Sequence, residues 1–367
     1  MTDTSSLFRP FSCKGLTLAN RIVMAPMTRE KSPGGIPGRD VAEYYARRAA
    51  ADIGLIITEG TTVDRAAASN SNEVPNIHSG DALEGWRKVV TNVHVEGGKI
   101  APQLWHQGMA RKPGTGPHPE APSDGPSGIT HTGKQVLPEP TDSDVADMIA
   151  SFARAGKNAK NLGFDAIEIH GAHGYLVDQF FWEGMNIRTD KYGGSVINRA
   201  SFGADIVKAI RREVGSDMPI ILRFSQWKQQ NYEAKLAQTP TELEKFLSVF
   251  VDSGLDIFHC STRRFWEPEF KGSDLNLAGW TKKLTGRPTI TVGSVGLSSD
   301  FIGSLVHQTT SEKQSLDNLL ERLEREEFDL VGVGRALLQD PNWAVKVKDG
   351  RMDELQDYDP AARTTLY

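Results

Sequence analysis

FDAIEIHGAHGYLVDQFFW, residues 164–182, runs from an apolar segment, AIEIH, directly into two histidines three apart, His170 and His173, with Tyr175 two residues on. Metal ligation, general acid chemistry and plain core packing all suit such a cluster when it is read alone. The neighbours decide the fold. Before it, TDSDVADMIASFARAGKNAKNLG (141–163) reads as a helix capped by Thr141 or Ser143, and after it NRASFGADIVKAIRREVG (198–215) reads as another. The stretch is thus the strand of one strand–helix unit, and the same unit recurs on both sides. RIVMAP, IGLIITEG and KIAPQLW precede it as strands; PIILRFS, DIFHCS, PTITVGS and FDLVGVG follow. Asp40 is the expected cap of the first helix, and Thr239 with Pro240 the start of the one after PIILRFS. RALLQDPNWAVKVKDG closes the series as its last helix. The strands are continuous runs of Ile, Val and Leu, as expected of strands covered on both faces. Eight alternating units predict a single (β/α)8 TIM barrel over residues 1–367 rather than a doubly wound sheet. Two α/β domains are the competing arrangement, but no linker-like shift of composition divides the chain, and no internal repeat or low-complexity tract is present.

The composition agrees with an enzyme-sized globular chain: 367 residues, 38% hydrophobic and 24% charged. A net charge of −5 gives no reason to expect nucleic acid or an anionic membrane as partner. Cys13 and Cys260 are too few for a disulfide framework and suit a reducing compartment. No basic-then-apolar leader and no bilayer-length apolar stretch is visible, so a cytoplasmic location is expected.

In a barrel of this kind the chemistry gathers at the C-terminal strand ends. Those ends carry Pro26, Met27 and Thr28; Glu59 and Gly60; Gln103 and Trp105; His170, His173 and Tyr175; Arg223; Cys260 and Ser261; Gly293 and Ser294; and Gly332, Gly334 and Arg335. The glycines after strands seven and eight let backbone N–H groups approach an anion, and Arg335 adds a fork of donors, so a phosphorylated ligand is expected there. The bland alternative is that these glycines only ease tight turns. Thr28, Gln103 and Arg223 suit the reading of a planar heterocycle, and an arginine there could stabilise charge on a reduced flavin. Each also has an ordinary role, since Arg223 could pair with Glu59 or Glu168 inside the barrel. Cys260 reads as inert packing, Phe265 and Trp266 as cover for the pocket, and Trp105 as either wall or cover.

Six segments in this order, NRIVMAPMT, GLIITEGT, QLWHQG, HGAHGYLVDQFFW, NIRTDKYGGS and VGVGRALLQDP, resemble the Old Yellow Enzyme family of FMN-dependent ene-reductases. The resemblance implies non-covalent FMN, with NADPH or NADH as reductant. It implies that Pro26, Met27, Thr28 and Gly60 lie at the flavin's reactive face and edge, Gln103 at the pyrimidine edge and Arg223 near N1 and O2. Gly293, Ser294, Gly334 and Arg335 would hold the phosphate. His170 and His173 would bind the carbonyl or nitro oxygen of an electron-poor alkene (enone, enal, maleimide or nitroalkene), and Tyr175 would protonate its α-carbon after hydride transfer from flavin N5 to the β-carbon. LFRPF to LTLAN, before strand one, resembles the family's hairpin closing the barrel bottom, with excursion loops covering the C-terminal face.

The chain departs from the family pattern at Ile197, where an acidic residue is common, and at Met109, where many members carry Arg. SQWKQQNYEAKLAQTP (225–240) is unfamiliar, and the chain resembles neither the larger dienoyl-CoA reductases nor trimethylamine dehydrogenase. The oligomeric state stays open between monomer and homo-oligomer. Two other functions are weighed: a metal-dependent barrel lyase or hydrolase using His170 and His173, and a non-catalytic flavin-binding protein.

Overall fold

Short runs of β-branched and aliphatic residues form the ring that the alternating pattern predicts. In the computed structural model, which describes residues 3–300 and 308–367, β3 (Ile22–Met24), β4 (Leu55–Thr62), β5 (Ile100–Trp105), β6 (Ile167–His173), β7 (Ile220–Lys228), β8 (Ile257–Ser261), β9 (Thr289–Val292) and β10 (Leu330–Val333) pair in parallel, each with the next. The ring closes where β10 meets β3, with Val331 opposite Ile22 and Val333 opposite Met24. Alternate residues face opposite ways, so each strand feeds two apolar layers. Val23, Leu55, Ile57, Ala101, Ala166, Ile221, Ile257, Ile290 and Leu330 form one buried cluster. Their neighbours Ile22, Ile56, Ile100, Ile167, Ile220, Phe258 and Val331 belong to another, shared with the helices.

The N-terminal segment supplies the bottom of the first cluster. β1 (Phe11–Cys13) and β2 (Leu16–Leu18) pair as an antiparallel hairpin. Phe11, Leu16 and Leu18 pack with the barrel-interior residues, Leu16 and Leu18 being almost wholly buried. The resemblance implied this closure, and the fold has it.

Several helix starts follow local capping chemistry, but the first helix does not start on its expected cap. Thr141 and Asp144 form a reciprocal capping box at Asp142–Leu162. Thr239 caps Pro240–Asp252, with proline in the first turn where no N–H is needed. Asp40 is not the cap of Arg39–Ala50: Gly38 takes the extended N-cap conformation, and Asp40 lies one residue inside the first turn, accepting from Val41 N–H. An aspartate already in helical backbone adds charge to the first turn but cannot cap it. The last helix is also divided. Arg335–Gln339 and Trp343–Lys348 are separate because Asp340, ahead of Pro341, is extended (φ −135°).

The C-terminal face is covered by the segment between β5 and Asp142 and by the chain's end. His106, fully buried as a side chain, and Arg65 both bind Asp124, which ties the first of these loops down. Arg29 donates to the carbonyls of Arg363 and Thr365, which brings the last residues across the barrel mouth.

Candidate active site

A strand places residues i and i+3 on opposite faces, so His170 and His173 meet only because β6 is irregular at its end. Its register against β7 shifts between Gly171 and His173, and His173 sits at φ +65°, followed by Gly174 at φ +79°. A histidine in left-handed backbone needs support from its surroundings. His173 N–H donates to Ser225 Oγ at 3.0 Å, and Gly174 N–H to Asp178 Oδ2 at 2.7 Å. Asp178 is in turn paired with Lys228 at 2.5 Å, both side chains wholly buried. This clamp between β6 and β7 sets the two imidazoles 5.1 Å apart, nearly perpendicular.

Tyr175 stands edge-on between His170 (5.1 Å) and Trp105 (5.2 Å). Trp105 fits against β4 because residue 60 is glycine: a Cβ there would meet the indole at 3.2 Å. Burial holds both histidines well below the ordinary imidazole pKa, with the Arg223 cation pushing the same way, so both rings are neutral near pH 7. Burial pushes the Tyr175 phenol above its ordinary value, against an opposing hydrogen bond from Gln229.

Arg223 pairs with neither Glu59 nor Glu168 by hydrogen bond. Glu168 is occupied by Gln103 Nε2 (2.8 Å) and His259 Nδ1 (2.6 Å). Glu59 accepts from the backbone N–H groups of Arg29 (2.8 Å) and Glu30 (3.1 Å), which fixes the loop that carries Pro26, Met27 and Thr28. Burial raises the Glu59 carboxyl to about 7. Arg223 reaches Ser261 Oγ at 3.3 Å, and its Nε is buried with no partner among the described residues.

At the other side, Gly293 (φ +142°) and Ser294 (φ +54°) form the turn after β9. A Cβ on Gly293 would lie 2.7 Å from the carbonyl oxygen and hydroxyl of Thr262, so this turn takes glycine alone. Arg335 donates to Ser294 Oγ (3.3 Å) and to the carbonyls of Ser299 and Asp300. Its guanidinium also lies over the Tyr358 ring.

All thirteen expected site residues line one cavity of about 280 Å³. Arg29, Arg263 and Arg363 join Arg223 and Arg335 in lining it, and no carboxylate does among the described residues. The electrostatics therefore favour an anionic ligand. An unspent buried guanidinium N–H at one end and a glycine-only turn beside Arg335 at the other would suit a flavin mononucleotide, Arg223 holding its ring and Ser294 with Arg335 its phosphate.

Trp227 and Gln229 line the same cavity and were not singled out from the sequence. β7 runs three residues past the apolar PIILRFS, and alternation from Arg223 through Ser225 to Trp227 was the available signal. Tyr358 and Arg363 come from the chain's end, for which nothing local is a signal. Trp105 is wall. Phe265 and Trp266 are not among the lining residues; Phe265 is buried and stacks edge-on with Trp266. Cys260 points into the outer apolar layer, its thiol pushed up by burial to about 12, as inert packing requires. Among the described residues no group of three His, Cys, Asp or Glu side chains is gathered where it could hold a metal ion. No helix among them is long and apolar enough to cross a membrane.

Residues 6–354 match the model of the NADH:flavin oxidoreductase / NADH oxidase family. Over 223 residues the chain is 39% identical to 12-oxophytodienoate reductase 7 of Oryza sativa subsp. japonica, covering 58% of this chain and 56% of that one. It is 32% identical over 367 residues to the NADH oxidase of Thermoanaerobacter brockii, covering 97% of this chain and 52% of that one. The chain thus spans about half the length of these two relatives. A solved structure of morphinone reductase in complex with tetrahydroNAD superposes with a TM-score of 0.80 at 25% identity, covering 97% of this chain and 93% of that one.

Proposed function

The chain belongs to the NADH:flavin oxidoreductase / NADH oxidase family, with FMN as cofactor and NADH or NADPH as reductant, and we propose that it reduces the activated double bond of small electron-poor alkenes. The observation that carries this is the single cavity in which His170, His173 and Tyr175 share walls with the Arg223 and Gly293–Ser294/Arg335 ends of the cofactor cradle. When bound, FMN supplies hydride chemistry, from NAD(P)H and then to the alkene's β-carbon. Pro26, Met27, Thr28, Gly60 and Gln103 would line its ring; Gly293, Ser294, Gly334 and Arg335 would receive its phosphate. His170 and His173, both neutral, donate N–H groups to the substrate's carbonyl or nitro oxygen, where negative charge develops. Tyr175 keeps its proton at neutral pH and delivers it to the α-carbon. Enones, enals, maleimides and nitroalkenes fit this donor set, with residues 1–367 acting as one FMN-binding domain.

The test is the visible spectrum of the purified protein. A flavin band bleached by NADH or NADPH and restored by cyclohexenone supports the reading. A protein that binds FMN but is reoxidised only by oxygen would be a flavoprotein without alkene reductase activity. One that takes up no FMN would end the proposal.

A further inference from the structure

We propose that Ser261 is a positioning residue that fixes His173 as its Nδ1–H tautomer, so that His170 and His173 face the cavity as opposite tautomers, each with a free N–H. The assignment rests on which atoms can donate. Ser261 is 2% exposed, and its hydroxyl lies 3.3 Å from Arg223 Nη2 and 2.8 Å from His173 Nε2. A guanidinium only donates, so Ser261 Oγ is the acceptor in the first contact. The hydroxyl proton then needs an acceptor of its own, and His173 Nε2 is the one at hand. Were His173 to carry its proton on Nε2, the oxygen would accept twice and its own O–H would be left buried and unmet, which folded proteins avoid. His173 Nε2 is therefore the lone-pair nitrogen. The ring is neutral, as its burial beside Arg223 requires, so its proton is on Nδ1.

His170 is fixed the other way. Ala172 N–H donates to His170 Nδ1 at 3.3 Å, which leaves the proton on Nε2. Trp227 completes the arrangement. Its indole stacks on His173 at 4.6 Å and 24°, and its Nε1 donates to the Ser261 carbonyl at 3.2 Å, so one side chain holds the imidazole plane and the serine backbone together. The relay Arg223 to Ser261 to His173 also links the cofactor end of the cavity to the substrate end, because a cation polarises the hydroxyl that it donates to.

The assignment of the tautomer stands on the hydrogen bonds; its use, presenting Nδ1–H to a substrate oxygen, rests on the proposed ene-reductase reading. The test is long-range 1H–15N correlation of the FMN-loaded enzyme labelled with 15N-histidine, His173 being assigned by the signals lost in His173→Gln. The expected spectrum shows His173 protonated at Nδ1 and His170 at Nε2. In Ser261→Ala the His173 signals should move towards the Nε2–H tautomer, with alkene kcat/KM falling about tenfold, the scale of one hydrogen bond. Ser261→Thr, which keeps the hydroxyl, should restore both. His173 protonated at Nε2 in the wild type overturns the proposal, as does an Ser261→Ala spectrum identical to it. Wild-type enzyme with the expected tautomers but no enone turnover would overturn the functional reading and leave the tautomer assignment standing.

Discussion

Tyr175 is the residue at which binding and chemistry can be separated. Its ring is held edge-on between Trp105 and His170, contacts that phenylalanine would keep. Tyr175→Phe should slow alkene-dependent flavin reoxidation about a hundredfold or more, the low end of general acid catalysis, and slow flavin reduction by NAD(P)H far less. Stopped-flow measurement of the two half-reactions decides it; equal losses in both would remove Tyr175 from the proton step. Because burial holds His170 and His173 well below the ordinary histidine pKa, neither ring gains a proton as pH falls from about 8 to about 6. The rate of the alkene step should therefore be flat across that window, and a limb near the ordinary histidine pKa would contradict it. Glu59 works in the opposite sense. Its folded pKa, about 7, stands above the ordinary 4.5, so the folded state holds a proton that the unfolded chain has lost. Stability consequently falls as pH rises from about 4.5 through about 7. Glu59→Gln keeps an acceptor for the Arg29 and Glu30 N–H groups while removing the charge, and should flatten the thermal midpoint between about pH 5 and about pH 8.

At the scale of elements, β6 and β7 are joined where the strand ends by the buried Asp178–Lys228 pair. Removing one partner, as in Lys228→Met, leaves a buried charge uncompensated and should cost about 3–5 kcal/mol of stability by denaturant titration. Asp178→Leu with Lys228→Met removes both charges and should recover most of that. Activity should not recover with it, since Gly174 N–H loses its acceptor and the turn that aims His173 loses its anchor. Recovery of both together would make the pair a matter of stability alone. After β9, Gly293→Ala puts a methyl 2.7 Å from Thr262 and forces left-handed backbone on alanine. FMN affinity, measured by fluorescence quenching, should weaken about tenfold or more.

For the whole molecule, the barrel's two ends carry separate duties. The hairpin seals the bottom with Leu16 and Leu18, far along the strands from the mouth where the arginines and histidines gather. Leu18→Ala should lower stability by about 2–5 kcal/mol and leave kcat of the FMN-loaded enzyme unchanged. The residues that would hold FMN come together only in the folded barrel, so at about a hundred times its Kd FMN should add about 2.7 kcal/mol to stability, visible as a rise of several degrees in Tm.

The order of strands and helices was determined by sequence alone, because continuous aliphatic runs alternating with amphipathic segments have few ways to bury both faces of every strand. The candidate residues at the strand ends were legible for the same reason: once the barrel is recognised, position along a strand says which side chains reach the mouth. Three things needed the tertiary structure. His170 and His173 meet through a register shift and a left-handed residue supported from β7, which spacing in sequence does not encode. Glu59 and Glu168 bind backbone N–H groups, Gln103 and His259 rather than Arg223, a choice made by geometry among equally charged candidates. Ser261 and Trp227 join the site across 88 and 54 residues of chain from His173, through the pairing of β6 with β7 and of β7 with β8. Local pattern decides which elements form; which side chains meet at the barrel mouth is decided by contacts between strands distant in sequence.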